Sequence, residues 1–326
     1  MSTRREAGPP AAPGSIWHAG ERALQEREGV AERMEEIGRK FVRDFMPEQH
    51  RSFFAQLPFL VLGSVDAQGA PWASLLSGPA GFVSSPDPRH LRVAGLPDMD
   101  DPAHVALQPG ASVGALGIEL HSRRRNRANG VIAARDAQSF TIEVLQSFGN
   151  CPQYIQGREQ VASSPGERQA RPAERLSALD LEARALIERA DTFFVASYVE
   201  RSGDKPRGVD VSHRGGLPGF VRVVGDTLTI PDFSGNLQFA TLGNLLLNPR
   251  AGLVFIDFDR GDLLQLTGSA ELVLDGPELA AFPSAERLWR CHVQALVRRR
   301  DALAVRFRFR EYSPFSLRAG SWADAR

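Results

Sequence analysis

The sequence predicts a mainly β protein with flanking helices (α+β), laid out as two tandem copies of a small closed or partly closed barrel, with a β-sandwich as the competing architecture. Three observations predict it. The first is internal similarity: Pro58–Val65 resembles Thr192–Val199, Ala80–Val83 resembles Pro218–Val221, Pro109–Gly114 resembles Pro249–Val254, and Gly130 answers Gly268. The spacing drifts only from 134 (192 − 58) to 140 (249 − 109), as small loop insertions in a duplicated domain would produce. The second is the pattern after residue 58, where short β-branched and aromatic runs alternate with turn sequences such as Asp66-Ala67-Gln68-Gly69. The third is the six or seven such runs per copy with few helices between them, since closure removes exposed sheet edges.

Taken in order, residues 1–50 read as a polar tail and a helical arm. Leu24, Val30, Met34, Ile37, Phe41, Val42 and Phe45 recur at three- and four-residue steps, which predicts one amphipathic helix over 21–45 and a packing role for the arm. A short helix follows over 47–57. The first barrel spans 51–158, with strands expected near 59–65, 71–77, 82–84, 91–94, 113–120, 128–134 and 139–146. Residues 159–175 contain Ser163-Ser164-Pro165-Gly166 and Arg171-Pro172, too little apolar surface to order themselves, and read as a linker. The second barrel spans 176–326, with a helix over 176–190 and strands near 193–199, 208–212, 220–223, 227–230, 250–257, 262–274 and 287–297. Phe239, Leu242, Leu245 and Leu246 predict a helix over 236–247, ended by Asn248-Pro249.

Composition narrows the function. Thirty-nine basic and 39 acidic side chains cancel, so no overall field draws nucleic acid or an anionic membrane to the chain. The first 13 residues lack the apolar stretch of a secretory signal, and no run approaches the roughly 18 apolar residues of a membrane helix; a cytoplasmic protein is expected. Cys151 and Cys291, one per copy, read as unpaired thiols.

Ser234-Gly235-Asn236 stands where a strand ends and the expected helix begins. Either it is an ordinary N-cap, worth roughly 1 kcal/mol, or its hydroxyl and free amides meet an oxyanion. Ser212-His213-Arg214, at the end of another strand and followed by Gly215-Gly216, adds a cation and further donors, which strengthens the anion reading. Arg123, Arg125 and Arg127 alternate within the densest charge of the chain and face either solvent or a seam. No aromatic platform accompanies them as an RNA-binding patch would require. Gln265 is open to reading as an edge-strand surface residue.

The order Arg207-x-Val209-Asp210-Val211-Ser212-His213-Arg214, Pro218-Gly219-Phe220, Leu228-x-x-Pro231-Asp232-x-Ser234-Gly235-Asn236, Thr241-Leu242-Gly243-Asn244, Asn248-Pro249-Arg250-Ala251-Gly252 and Gln265-Leu266-Thr267-Gly268 resembles the pyridoxamine 5′-phosphate oxidase-like, FMN-binding split-barrel superfamily. The resemblance covers about 190–315 well and 53–158 more weakly, as in a tandem member of the general flavin-nucleotide-binding branch. It implies two split barrels and FMN, with FAD or another flavin as options. It implies a phosphate held at Arg207, Ser212 and Ser234, with His213, Arg214, Gly235 and Asn236 beside it, and Gln265 at the flavin edge. Asn150 and Tyr154 belong to an Asn-Cys-Pro-x-Tyr-Ile ending that recurs in flavin-binding relatives; Arg125 and Arg127 either form a solvated basic hairpin or add charge to the cofactor across the seam.

Two cations of the oxidases are missing, Gly235-Asn236 replacing an Arg-Lys pair and Ser212 a lysine, which argues against pyridoxal phosphate synthesis. In the first copy Trp72 and Ser77 stand for Arg207 and Ser212, and the carboxylates of 98–101 imply a lost phosphate pocket and a partner-wall role. The resemblance implies an FMN-dependent oxidoreductase moving electrons from a reductant such as NAD(P)H to a small acceptor, in a homodimer or an internal pair of barrels. The alternative is a non-catalytic flavin or haem carrier. Neither a nucleic acid, a membrane nor a metal site is expected.

Overall fold

The computed structural model describes residues 14–161, 171–203, 205–282 and 284–324. The tail and part of the expected linker lie outside them. The arm comprises α1 (Ala19–Arg27), α2 (Ala31–Phe41) and α3 (Glu48–Ala55). The single helix expected over 21–45 is two, because Gly29 turns the chain at φ +68° and Val30 starts α2 without a side-chain cap.

The first sheet holds β1 (Phe59–Val65), β2 (Pro71–Ser77), β3 (Val83–Asp87), β4 (His90–Ala94), β5 (Ser112–Glu119), β6 (Arg124–Arg135) and β7 (Ser139–Asn150), with α4 (Ala103–Ala106) before β5. Next come β8 (Gly157–Val161), β9 (Glu174–Leu176) and α5 (Leu181–Arg189), the last capped by Asp180, whose carboxylate accepts from the Ala183 amide at 2.8 Å. The second sheet holds β10 (Thr192–Val199), β11 (Gly208–Gly215), β12 (Arg222–Val224), β13 (Thr227–Phe233), β14 (Arg250–Asp257), β15 (Asp262–Val273) and β16 (Ala285–Arg299). Helix α6 (Ala240–Leu247) precedes β14, and α7 (Pro277–Ala280) precedes β16; β17 (Arg306–Glu311) and α8 (Pro314–Ala319) follow.

Both sheets are antiparallel and share one strand order. The first runs β2-β1-β5-β6-β7-β4-β3 and the second β11-β10-β14-β15-β16-β13-β12, each strand of the second being the ninth after its counterpart. The chain is therefore two tandem split barrels. Residues 159–161 and 174–175, expected as linker, instead pair as strands, β8 with β17 and β9 with β16.

Strand register corrects the residue equivalences. Ser74 and Ser212, Gly78 and Gly216, Phe82 and Phe220, Arg127 and Gln265, and Gly130 and Gly268 all stand 138 residues apart. Gly78 and Gly216 each lie against the phenylalanine four residues on, where a Cβ would come within 2.5 Å and 2.4 Å of the ring. Ser74, not Ser77, holds the place of Ser212, and Trp72 that of Asp210. Likewise Leu60, not Phe59, answers Phe193, because Leu60 and Phe193 point into the barrel cores whereas Phe59 points outward. A one-residue slip exchanges the faces of a strand.

Three apolar clusters explain why β1 and β10 carry apolar residues on both faces. Leu60 and Leu62 join the core of the first barrel, and Phe193 and Val195 that of the second. Phe59, Val61, Phe194 and Ala196 turn the other way, into a shared third cluster with Leu116, Val211 and Val254. The barrels thus meet face to face through β1, β2 and β5 on one side and β10, β11 and β14 on the other, each buried large side chain contributing roughly 1.5–3 kcal/mol. Two glycines 138 residues apart permit the approach. A Cβ on Gly252 would lie 2.1 Å from the Pro71 carbonyl oxygen, and one on Gly114 would lie 3.0 Å from the backbone of Asp210.

Candidate functional site

A cleft opens at one end of this seam, about 900 Å³ with the open space at its mouth included. The first barrel contributes Arg125 and Arg127 from β6, Asn150 from the end of β7, and Cys151, Gln153 and Tyr154 from the segment that follows. From the second barrel come Ser212, His213 and Arg214 on β11, residues 231–239 at and after the end of β13, the first turn of α6, and Arg287 on β16.

Ten of the twelve residues singled out in the sequence therefore converge here: Arg125, Arg127, Asn150, Tyr154, Ser212, His213, Arg214, Ser234, Gly235 and Asn236. Arg207 and Gln265 do not line the cleft. Arg207 is exposed, pairs with Glu200 at 2.8 Å and lies over the Tyr198 ring, because Gly208 rather than Arg207 begins β11. Gln265 is fully buried in the seam and donates to Ser74 Oγ at 2.9 Å and to the Ala73 carbonyl at 3.1 Å. It is neither an edge-strand surface residue nor a group at the mouth of the cleft.

The expected helix start moves as well. α6 begins at Ala240, so Ser234 and Asn236 do not cap it; its N-cap is Phe239, left-handed at φ 59° and without a side-chain cap. Tyr154 (φ 63°), Leu237 (φ 60°) and Phe239 are three of the five described non-glycine residues at positive φ, and all three line the cleft. Gly215 lets the Tyr154 segment close over β11, since a Cβ there would sit 2.0 Å from the Tyr154 carbonyl oxygen. Tyr154 stacks on Phe233 with centroids 5.2 Å apart and donates its hydroxyl to the Ser234 carbonyl at 2.9 Å. Burial, followed by the charges of Glu286 and Asp232, pushes that hydroxyl up to about 12.

Charge is unevenly matched around the cleft. Arg127 pairs with Asp210 at 3.0 Å and donates to Ser212 Oγ, which itself donates to Asp210 at 2.8 Å. Arg214 and Arg287 share Asp232, and Arg287 also reaches Glu28 of the arm at 2.6 Å. Arg125 has no carboxylate partner among the described residues. It donates to the Cys151 carbonyl at 2.9 Å and to His213 Nδ1 at 3.3 Å. Burial, then the repulsion of Arg127 and Arg214, pushes it down to about 9, so it is charged at neutral pH.

His213 is buried, and burial followed by the guanidinium charges of Arg125, Arg158 and Arg214 holds it well below its ordinary value, hence neutral. Arginine can only donate, so His213 Nδ1 accepts and Nε2 carries the proton. That Nε2–H has no partner. Arg214 Nε, Asn150 Oδ1, Gln238 Oε1 and Thr241 Oγ1, all in the lining, are likewise buried and unpartnered. Buried polar groups are usually satisfied, so five orphans around one cleft indicate groups disposed toward something that binds there.

Arg287 and Gln238 escaped the sequence reading, whereas Asp232 and Thr241 stood in the family pattern and Phe239 in the expected helix without being marked as site residues. Arg287 carries no local signal, for only the pairing of β13 with β16 sets it opposite Asp232. Cys151 and Gln153 were in view, flanked by Asn150 and Tyr154.

Residues 179–313 match the family model of pyridoxamine 5′-phosphate oxidase. The second barrel belongs to the pyridoxamine 5′-phosphate oxidase-like superfamily. The match spans β10 to β17 and supplies the larger share of the cleft lining. No curated protein matches the chain. Among solved structures, HupZ of Group A Streptococcus is 18% identical and covers 36% of this chain and 90% of its own, with a TM-score of 0.28. An FAD-binding protein from Mycobacterium smegmatis is 17% identical, covers 38% and 99%, and scores 0.26. Another, from Mesorhizobium loti, is 14% identical, covers 39% and 97%, and scores 0.27.

Proposed function

We propose that the seam cleft holds one flavin mononucleotide per chain and that the protein is an FMN-dependent oxidoreductase, passing electrons from a reductant such as NAD(P)H to a small acceptor. One observation carries this reading: a charged Arg125 with no carboxylate among the described residues to neutralise it, beside a buried His213 whose Nε2–H has no partner among them. A phosphate accepts from both, through a charge-assisted bond and a neutral one. Asn150 Oδ1, Gln238 Oε1 and Thr241 Oγ1 suit the polar edge of a heterocycle, and the stacked Tyr154 and Phe233 offer apolar surface beside it. Membership of the second barrel in the superfamily supports the same ligand class.

Bound flavin supplies the electron transfer itself. The chain's residues hold the anion, orient the ring and exclude water, a task that needs no acid–base dyad. Gly235-Asn236 in place of a cationic pair sets the chain apart from pyridoxal phosphate synthesis. Haem ligation through His213 fits poorly, because a ring nitrogen must be free of its proton to bind iron, and the Arg125 donor leaves the proton on Nε2.

The test is the visible spectrum of the purified protein, followed by titration with FMN and anaerobic addition of NADH or NADPH. Bleaching of bound flavin and its recovery with an acceptor support the enzyme. Binding without bleaching indicates a carrier, and a failure to bind flavin removes the reading altogether.

A further inference from the structure

The chain has two cysteines, both free and in opposite settings. Cys291 is fully buried on β16, and burial pushes its thiol up to about 12. Cys151 follows directly on β7, is partly exposed and lines the cleft. Its carbonyl oxygen accepts from Arg125 Nε at 2.9 Å, which anchors that uncompensated guanidinium next to it. A second, independent feature of the same cleft is His213, only 6% exposed and with Nε2 unpartnered. The lining thus places a nucleophile inside a receptor for an anion.

We propose that Cys151 is a modification site that captures small anionic disulfides of the oxidised-glutathione class, and that the resulting mixed disulfide closes the cleft. The Cys151 proton passes to water, and the Sγ thiolate attacks one sulfur of the disulfide. The disulfide's S–S bond breaks as the bond to Cys151 forms, and the second half departs as a thiolate with the electron pair. Cys151 is oxidised and the departing half reduced, so no further oxidant is needed. Arg125, which has no carboxylate partner among the described residues, gives the cleft a positive charge that concentrates anionic reagents, whereas Arg127 and Arg214 are paired with Asp210 and Asp232. Once attached, the anionic half occupies the space a phosphorylated ligand requires.

The experiment uses the full chain carrying Cys291→Ser, which leaves Cys151 as the sole thiol. Its reaction rate is measured with the dianion 5,5′-dithiobis(2-nitrobenzoate) and with uncharged 2,2′-dithiodipyridine, and the adduct is located by mass spectrometry. The ratio of the two rates is expected to exceed that of N-acetylcysteine by about tenfold, and to fall as salt is raised. Arg125→Ala is expected to remove the preference and Arg125→Lys to retain it. A ratio equal to that of the free thiol, or one indifferent to salt, overturns the proposal; the salt series decides the matter in otherwise unaltered protein should Arg125→Ala fail to fold. FMN added beforehand is expected to slow the reaction. A strong anionic preference that FMN leaves untouched counts against the flavin reading of the cleft and in favour of the thiol site.

Discussion

The duplication relates two positions in the barrel seam, one open and one filled from within. In the open cleft Arg127 of the first barrel reaches Ser212 of the second; at the other position Gln265 of the second barrel reaches Ser74 of the first at 2.9 Å. There the resemblance stops. Beside Ser74 lies Asp101, whose side chain is wholly buried; it accepts from Ser74 at 2.6 Å and pairs with Arg299 at 2.5 Å. Asp98 pairs with Arg299 as well.

Strand register and the starts of α4 and α6 match this trio with Asn150 for Arg299, Gly235 for Asp98 and Gln238 for Asp101. All three counterparts are neutral, and two carry orphaned oxygens. The carboxylates of the first barrel do not stand bare; Asp98 and Asp101 are paired with a buried arginine. The lesson is that duplicated seam positions can diverge in charge: carboxylates of the chain meet Arg299 at one, and among the described residues none meets Arg125 at the other.

Substitutions can break this contrast, and the largest effect belongs to the filled position. Asp101→Ala strips a buried partner from Arg299 and is expected to cost about 3–5 kcal/mol in urea unfolding, as breaking a buried ion pair usually does. Gly215→Ala acts on the open cleft by driving a methyl group into the Tyr154 carbonyl, which stands 2.0 Å away. An overpacking cost of about 1–3 kcal/mol in thermal unfolding is expected, with FMN affinity lowered in parallel.

Arg125→Ala should sharpen the comparison, because unlike Arg299 this arginine has no carboxylate to strand. Unfolding free energy is expected to stay nearly unchanged, while FMN affinity measured by fluorescence quenching falls at least tenfold, about 1.4 kcal/mol. A loss of stability as large as that of Asp101→Ala would show that the two arginines do the same job.

The smallest effect comes from the arm, whose α1 packs on α6 at the open side. Helix α1 crosses α6 where Gly20 meets Gly243, and a Cβ on Gly20 would lie 2.1 Å from the Gly243 carbonyl oxygen. This buries Glu21, and burial first, with help from the charge of Asp210, pushes its carboxyl up to about 8. A carboxyl raised on folding stabilises fully below its unfolded value, and that contribution fades as pH rises through the folded one. Thermal stability is therefore expected to decline by about 1 kcal/mol between pH 7 and 8.5, and Glu21→Gln should flatten the decline.

Much of this was legible in the sequence, for identifiable reasons. Apolar runs on β1 and β10, repeated glycines and a recurring strand count announce a duplicated barrel because backbone geometry and burial act locally. Convergence of Ser212, His213, Arg214 and Ser234 with Arg125, Arg127, Asn150 and Tyr154 was legible through the family pattern. Arg207 and Gln265 misled, since family position names a strand but not which way a side chain leaves it. Gln265 shows this plainly: a polar residue on an apolar strand reads as exposed until the opposite barrel supplies Ser74. The break at Gly29 and the late start of α6 were hidden because a single left-handed residue leaves little trace in hydrophobic spacing.

The sequence by itself determined two barrels related by duplication and a set of donors suited to an anion, because these follow from periodicity and residue chemistry within short windows. Only the tertiary structure decided that the barrels of one chain face each other, that Arg125 stays unneutralised while Arg299 is met by Asp98 and Asp101, and that Cys151 stands in the cleft wall. Each of those outcomes depends on bringing together residues far apart in the chain, from 88 positions for Arg125 and His213 to 201 for Asp98 and Arg299, and the energy of a buried charge is set by such neighbours rather than by its own identity.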